Sequence, residues 1–66
     1  MNLSQKLKEA RLRVGLSQEE VARRVGCSVR TYARWERGET MPQTRYLQAL
    51  ARVLGVTVDD LVKEDT

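Results

Sequence analysis

The chain has 66 residues, 41% hydrophobic and 32% charged, with a formal net charge of +3. That length supports one domain with a small core and leaves no room for a second module. The balance excludes a disordered chain, no apolar run reaches membrane-spanning length, no signal-peptide pattern is legible at Met1, and the single cysteine excludes an internal disulfide framework.

Apolar residues recur at Leu3, Leu7, Ala10 and Val14, a helical spacing. Asn2 with Gln5 predicts a capping box at its start, and Gly15 a left-handed stop. Ser17 and Glu20 predict a second box, with Leu16 and Val21 at the staple positions and Gly26 as the stop. Ser28 then caps a third helix that ends at Gly38, with Cys27 and Tyr32 as its staple pair. Pro42 favours a fourth start soon after it, and Leu47, Leu50, Ala51 and Leu54 follow at i, i+3, i+4, i+7 up to Gly55. Thr57 and Asp60 repeat the box for a short fifth helix, with Val56 and Leu61 as staple. No segment alternates with period two for long, so the predicted fold class is all-α with five helices. Glu64 to Thr66 are expected to fray. The Met1 start leads us to expect a whole protein rather than a fragment.

Charge is segregated along the chain. Residues 5–52 carry eleven Lys/Arg against five Glu, whereas residues 53–66 carry Lys63 against Asp59, Asp60, Glu64 and Asp65. A basic body with an acidic end suggests a polyanionic partner and a surface kept away from it.

Two short helices joined around a glycine make a helix-turn-helix, here about residues 17–37. Ala22 is small where the helices must approach, and Gly26 can take the positive φ of a tight turn. With Tyr32 taken as the inward direction, Trp35 and Glu36 lie within roughly 60° of it, and Arg30, Arg34 and Arg37 point roughly the other way. The rings would hold the helix down while the arginines form an outward stripe. Such a helix fits a B-DNA major groove, where Arg bonds guanine O6 and N7 in pairs.

The segment LSQEEVARRVGCSVRTYARWERGETMP, with LGVTVDDL near the end, resembles the helix-turn-helix family of lambdoid-phage repressors and Cro proteins, also called the xenobiotic-response-element regulator family. The resemblance runs from about Leu7 to Leu61. It implies a compact five-helix, lambda-repressor-like DNA-binding domain that acts as a dimer on near-palindromic operators. It further implies that Val29, Arg30 and Arg34 reach base edges. Gln18, Ser28, Thr31, Arg37, Thr40 and Gln43 would contact the DNA backbone. Arg11 and Glu36 would form an ion pair bridging the first helix to the end of the third. Three departures stand out. Tyr32 and Trp35 occupy positions where aliphatic residues are commoner. Val29 can touch a thymine methyl but cannot hydrogen-bond. Glu39 sits where a basic or neutral residue often assists phosphate, and it should weaken nearby contacts.

Plainer readings stand beside these. Arg23 and Arg24 are either a second basic patch or a solvated face. Tyr32 and Trp35 are either core or stacking platforms for single strands. Cys27 is either a redox sensor or a small buried hydrophobe. Val58, Leu61 and Val62 are either core or, on a helix with few inward positions, a dimer contact.

The expected function is sequence-specific binding of double-stranded DNA by a transcriptional repressor, cytoplasmic and nucleoid-associated, homodimeric at least on DNA. The alternative is an antitoxin or protein-interaction module on the same scaffold, which the basic outer face of the third helix disfavours. No histidine, paired carboxylate, metal-ligand cluster or phosphate loop supports an enzyme. No catalytic residue, metal, cofactor, small-molecule ligand or membrane partner is expected.

Overall fold

The computed structural model describes residues 2–63, and the expected fraying of the tail lies outside them. Five helices follow in order: α1 (Leu3–Val14), α2 (Gln18–Val25), α3 (Val29–Arg37), α4 (Thr44–Leu54) and α5 (Val58–Val62), with no strand among the described residues.

The helix starts are set by side chains that satisfy orphan amides. Asn2 accepts from the Gln5 amide at 3.0 Å while the Gln5 side chain accepts from the Asn2 amide. Thr57 and Asp60 make the same reciprocal box at α5. Ser17 and Ser28 accept from the third amide of α2 and α3, both at 3.0 Å. One half of the second box is not made. Glu20 turns its carboxylate to Arg23 at 2.6 Å and Arg24 at 3.6 Å, so these α2 arginines form intrahelical pairs. An exposed acid with two cations one turn away has a better partner than a backbone amide.

Helices α1 and α2 each pack on both α3 and α4, around Leu7, Val21, Tyr32, Leu50 and Leu54, which are fully buried or nearly so. Removing each such aliphatic side chain from water contributes about 1.5–3 kcal/mol. Helix α5 lies against α1 and α4, anchored by Leu61 and by the Lys6 ammonium, which donates to the Lys63 carbonyl.

Two positions of the apolar pattern depart from expectation. Val14, the last residue of α1, is exposed. Leu47 is only half-buried, whereas Tyr46 beside it packs onto the core with its ring 5.3 Å from Trp35. Leu61 also needs correction as a dimer contact. It is 2% exposed and spends its side chain on the chain's own core, since α5 is only one turn long and this is its inward position. Val58 is partly buried against the same core, and Val62 is 49% exposed.

Candidate nucleic-acid interface

Helix α3 is delimited by two glycines in the left-handed region. Gly26 has φ 93° and lets α2 stop one turn before Ser28 begins the next cap. Gly38 has φ 77°, and its amide and that of Glu39 turn back onto the carbonyls of Arg34 and Trp35.

The inner side of α3 is aromatic. Tyr32 is fully buried, and Trp35 is 4% exposed, so neither ring is free to stack on a base. Their rings meet edge to face at 5.9 Å, an arrangement favoured by the ring quadrupoles. Trp35 also packs on Tyr46, over whose ring the Arg45 guanidinium sits at 4.7 Å.

Beside the rings lies a charged hub. The Glu36 carboxylate accepts from Arg11 Nε at 2.7 Å and Nη2 at 3.2 Å, from the Gln18 amide nitrogen at 3.0 Å, and from the Tyr32 hydroxyl. Arg11 Nη1 donates in addition to the Leu16 carbonyl at 3.0 Å. One carboxylate therefore ties α1, the start of α2 and α3 together. The side chains are 11% and 4% exposed, which makes this an inner pair rather than a surface one. Burial alone would push the Glu36 carboxyl up. The hydrogen bonds from Arg11, Tyr32 and Gln18, with the Arg11 charge, outweigh it and hold the group below its ordinary value. Tyr32 is shifted upward by its burial and by the bond to Glu36, so its hydroxyl stays a donor.

Two of these bonds were not foreseen. Tyr32 and Glu36 stand at i, i+4, a spacing that could have revealed theirs. Nothing in the sequence marks Gln18 as a partner of Glu36, because the two meet only through the packing of α2 on α3. Its amide nitrogen, expected on a phosphate, is engaged on the protein by this one bond and retains a second N–H.

The outer side carries the cations. Arg30, Arg34 and Arg37 are exposed, and Val29 at the N-terminal turn is 43% exposed. Among the described residues, neither Arg30 nor Arg34 makes an ion pair or a side-chain hydrogen bond. Arg37 Nε is paired with the Glu39 carboxylate. Ser28 and Thr31 sit at the start of α3, with Ser28 Oγ donating to Thr31 Oγ1 at 2.9 Å. Thr40 and Gln43 are exposed in the connection to α4. Gln43 is the N-cap residue there, and its side chain makes no capping bond. Cys27 is half-buried behind this surface. Burial pushes its thiol up against an opposing hydrogen bond from the Tyr32 backbone, which disfavours the reactive thiolate.

A tight helix pair with an aromatic back and an arginine front defines a helix-turn-helix domain. The helix-turn-helix family model matches residues 7–61, and the chain belongs to that family in its Cro and phage-repressor type, a family of DNA-binding regulators rather than of enzymes. It is 34% identical over 61 residues to the cryptic phage CTXphi transcriptional repressor RstR of Vibrio cholerae, covering 92% of this chain and 55% of that one. It is 38% identical over 63 residues to the regulator DdrOP3 of Deinococcus deserti, covering 96% of this chain and 49% of the relative. The chain thus spans about half the length of these relatives. A crystal structure of the P22 c2 repressor protein in complex with a synthetic operator superposes with a TM-score of 0.92 at 29% identity, covering 98% of each chain. No helix among the described residues is long and apolar enough to cross a membrane.

Proposed function

We propose that this chain binds double-stranded DNA sequence-specifically and regulates transcription as a repressor. It would occupy a near-palindromic operator as a dimer, with α3 of each copy in the major groove. The observation that carries this reading is the two-sidedness of α3. Tyr32 and Trp35 are buried on one side, while Arg30 and Arg34 stand free of protein partners among the described residues on the other. The operator complex of the P22 c2 repressor and the repressor RstR support it by likeness.

In this reading Arg30 and Arg34 bond guanine edges, and Val29 meets a thymine methyl. Ser28, Thr31, Arg37, Thr40 and Gln43 hold phosphate or sugar. Gln18 shares that task through its second N–H and the amides at the start of α2, where an anion is favoured. Val62, with the flank of Val58, is the apolar surface offered to a second copy. The acidic residues beside it, Asp59 and Asp60, keep that end away from DNA. The protein acts by occupying its site in the cytoplasm, with the nucleoid. It acts as a binder and not an enzyme, without a cofactor, metal or small-molecule ligand.

Selection of bound duplexes from a random pool tests the proposal. The expected result is a motif with two-fold symmetry and half-sites one helical turn apart, about 34–36 Å. A pool that yields no motif, with binding that disappears at moderate salt for every sequence alike, overturns it in favour of general polyanion affinity.

A further inference from the structure

Arg37 closes the exposed stripe of α3, yet among the described residues it is the one arginine of that stripe with an acidic partner. Gly38, with φ 77°, reverses the chain, and the Glu39 amide bonds the Arg34 carbonyl at 3.0 Å. That main-chain bond fixes where Glu39 leaves the helix end and brings its carboxylate back to Arg37 Nε. Both side chains are more than half exposed. The pair is therefore worth little to folding, because solvent screens it. The hydrogen bond from Arg37 holds the Glu39 carboxyl below its ordinary value against desolvation, helped by the charges of Arg37 and Arg34. It is ionised at neutral pH. A carboxylate oxygen accepting from a guanidinium N–H, here Glu39 Oε2 from Arg37 Nε, presents the same chemistry as a phosphate oxygen on that donor.

We propose that Glu39 is an internal stand-in for a DNA phosphate, which occupies Arg37 when no duplex is bound and must be displaced when one arrives. The proposal rests on the DNA-binding reading above and adds a determinant of how tightly any duplex is held. Opening the pair frees a carboxylate that gathers a cation of its own, so fewer ions are released on balance when Arg37 meets a phosphate. The Arg37 contact then contributes little to the salt-dependent part of the affinity. Glu39 bonds neither Arg30 nor Arg34 and meets the Arg34 charge only through space, so its hold falls chiefly on the backbone contact of Arg37. The effect of Glu39 therefore falls on all sequences alike.

The test is a double-mutant cycle read by fluorescence anisotropy. Wild type, Glu39→Gln, Arg37→Gln and the double variant are titrated against a labelled operator obtained by selection and a scrambled duplex of the same length, across a salt series. Glu39→Gln is expected to tighten both duplexes by about three- to tenfold and to steepen the log–log salt slope by about one, with the operator-to-scrambled ratio unchanged. In the Arg37→Gln background the same substitution is expected to change Kd by less than about twofold, because the occupied group is gone. The exposed position and the retained main-chain turn keep all four proteins folded, which their thermal midpoints report. An equal gain with and without Arg37 overturns the proposal, since Glu39 would then only repel phosphate through space. No gain on intact Arg37 overturns it as well. A wild type that binds no duplex overturns both this proposal and the reading beneath it, which separates the two failures.

Discussion

Glu36 is the residue on which the interface depends. It accepts four hydrogen bonds from three side chains, one on α1, one at the start of α2 and one on α3 itself. Removing it strands the Arg11 guanidinium at 11% exposure. Glu36→Ala is expected to cost about 3–5 kcal/mol, as for other broken inner pairs. Arg37→Ala, on the exposed side of the same turn, should leave the thermal midpoint near that of wild type. Equal midpoints for the two variants in a melting experiment would contradict the hub. Tyr32→Phe keeps the ring and deletes one donor to a charged acceptor, so it should cost less, about 1.5–3 kcal/mol. The hub also sets an acid limit. Its carboxyl is held below the ordinary value of 4.5, so the folded state prefers it ionised. That contribution is fully present above the unfolded value and is lost as pH falls through the lower, folded one. Thermal midpoints across this acidic range should fall steeply for wild type and less so for Glu36→Gln, which has no carboxyl to protonate. Parallel curves for the two proteins would remove Glu36 from the acid transition.

Among elements, what was legible follows from how local each signal is. The caps at Asn2, Ser28 and Thr57 and the stops at Gly15, Gly26, Gly38 and Gly55 depend on a few adjacent residues, and all are present. The division of α3 into a ring side and an arginine side was legible too, because angular spacing on a helix is fixed by its geometry. Glu20 was harder to read, because its choice between the Ser17 amide and two arginines is a contest between weak, exposed alternatives. The spacing on α4 points to Leu47 and not to Tyr46, because the ring contact with Trp35 that seats Tyr46 joins separate helices. The Gln18–Glu36 bond joins residues 18 apart in sequence, and no local pattern encodes it. The turn between α2 and α3 gives the prediction at this scale. An added methyl group at Gly26 would meet no atom within 4 Å, so the cost of Gly26→Ala is conformational alone. A left-handed φ disfavours alanine by about 1–2 kcal/mol. Denaturant midpoints should drop accordingly, and Gly26→Asn should drop less. An unchanged midpoint for Gly26→Ala would mean that the turn tolerates another geometry.

At the scale of the whole molecule, the described chain is 32 × 23 × 20 Å, with the arginine front and the α5 end on separate elements. A monomer this small offers one recognition helix, and one helix reads only a few base pairs. In the proposed dimer, symmetric pairing through the Val62 end would double the readout and fix the spacing of the half-sites. Val62→Asp should therefore weaken operator binding without changing which base pairs are preferred, and sedimentation on and off DNA would show the lost dimer. Recognition itself is tested most directly by one measurement: the affinities of wild type and Arg30→Ala for a set of duplexes in which each operator base pair is changed in turn. Wild type should lose about 1–3 kcal/mol at the base pair that Arg30 touches. Arg30→Ala should bind the unchanged operator more weakly and become indifferent at that one position only. A variant that weakens on every duplex by the same factor and keeps the wild-type preference at each position would show that Arg30 holds the backbone, and would contradict base reading from the exposed face of α3.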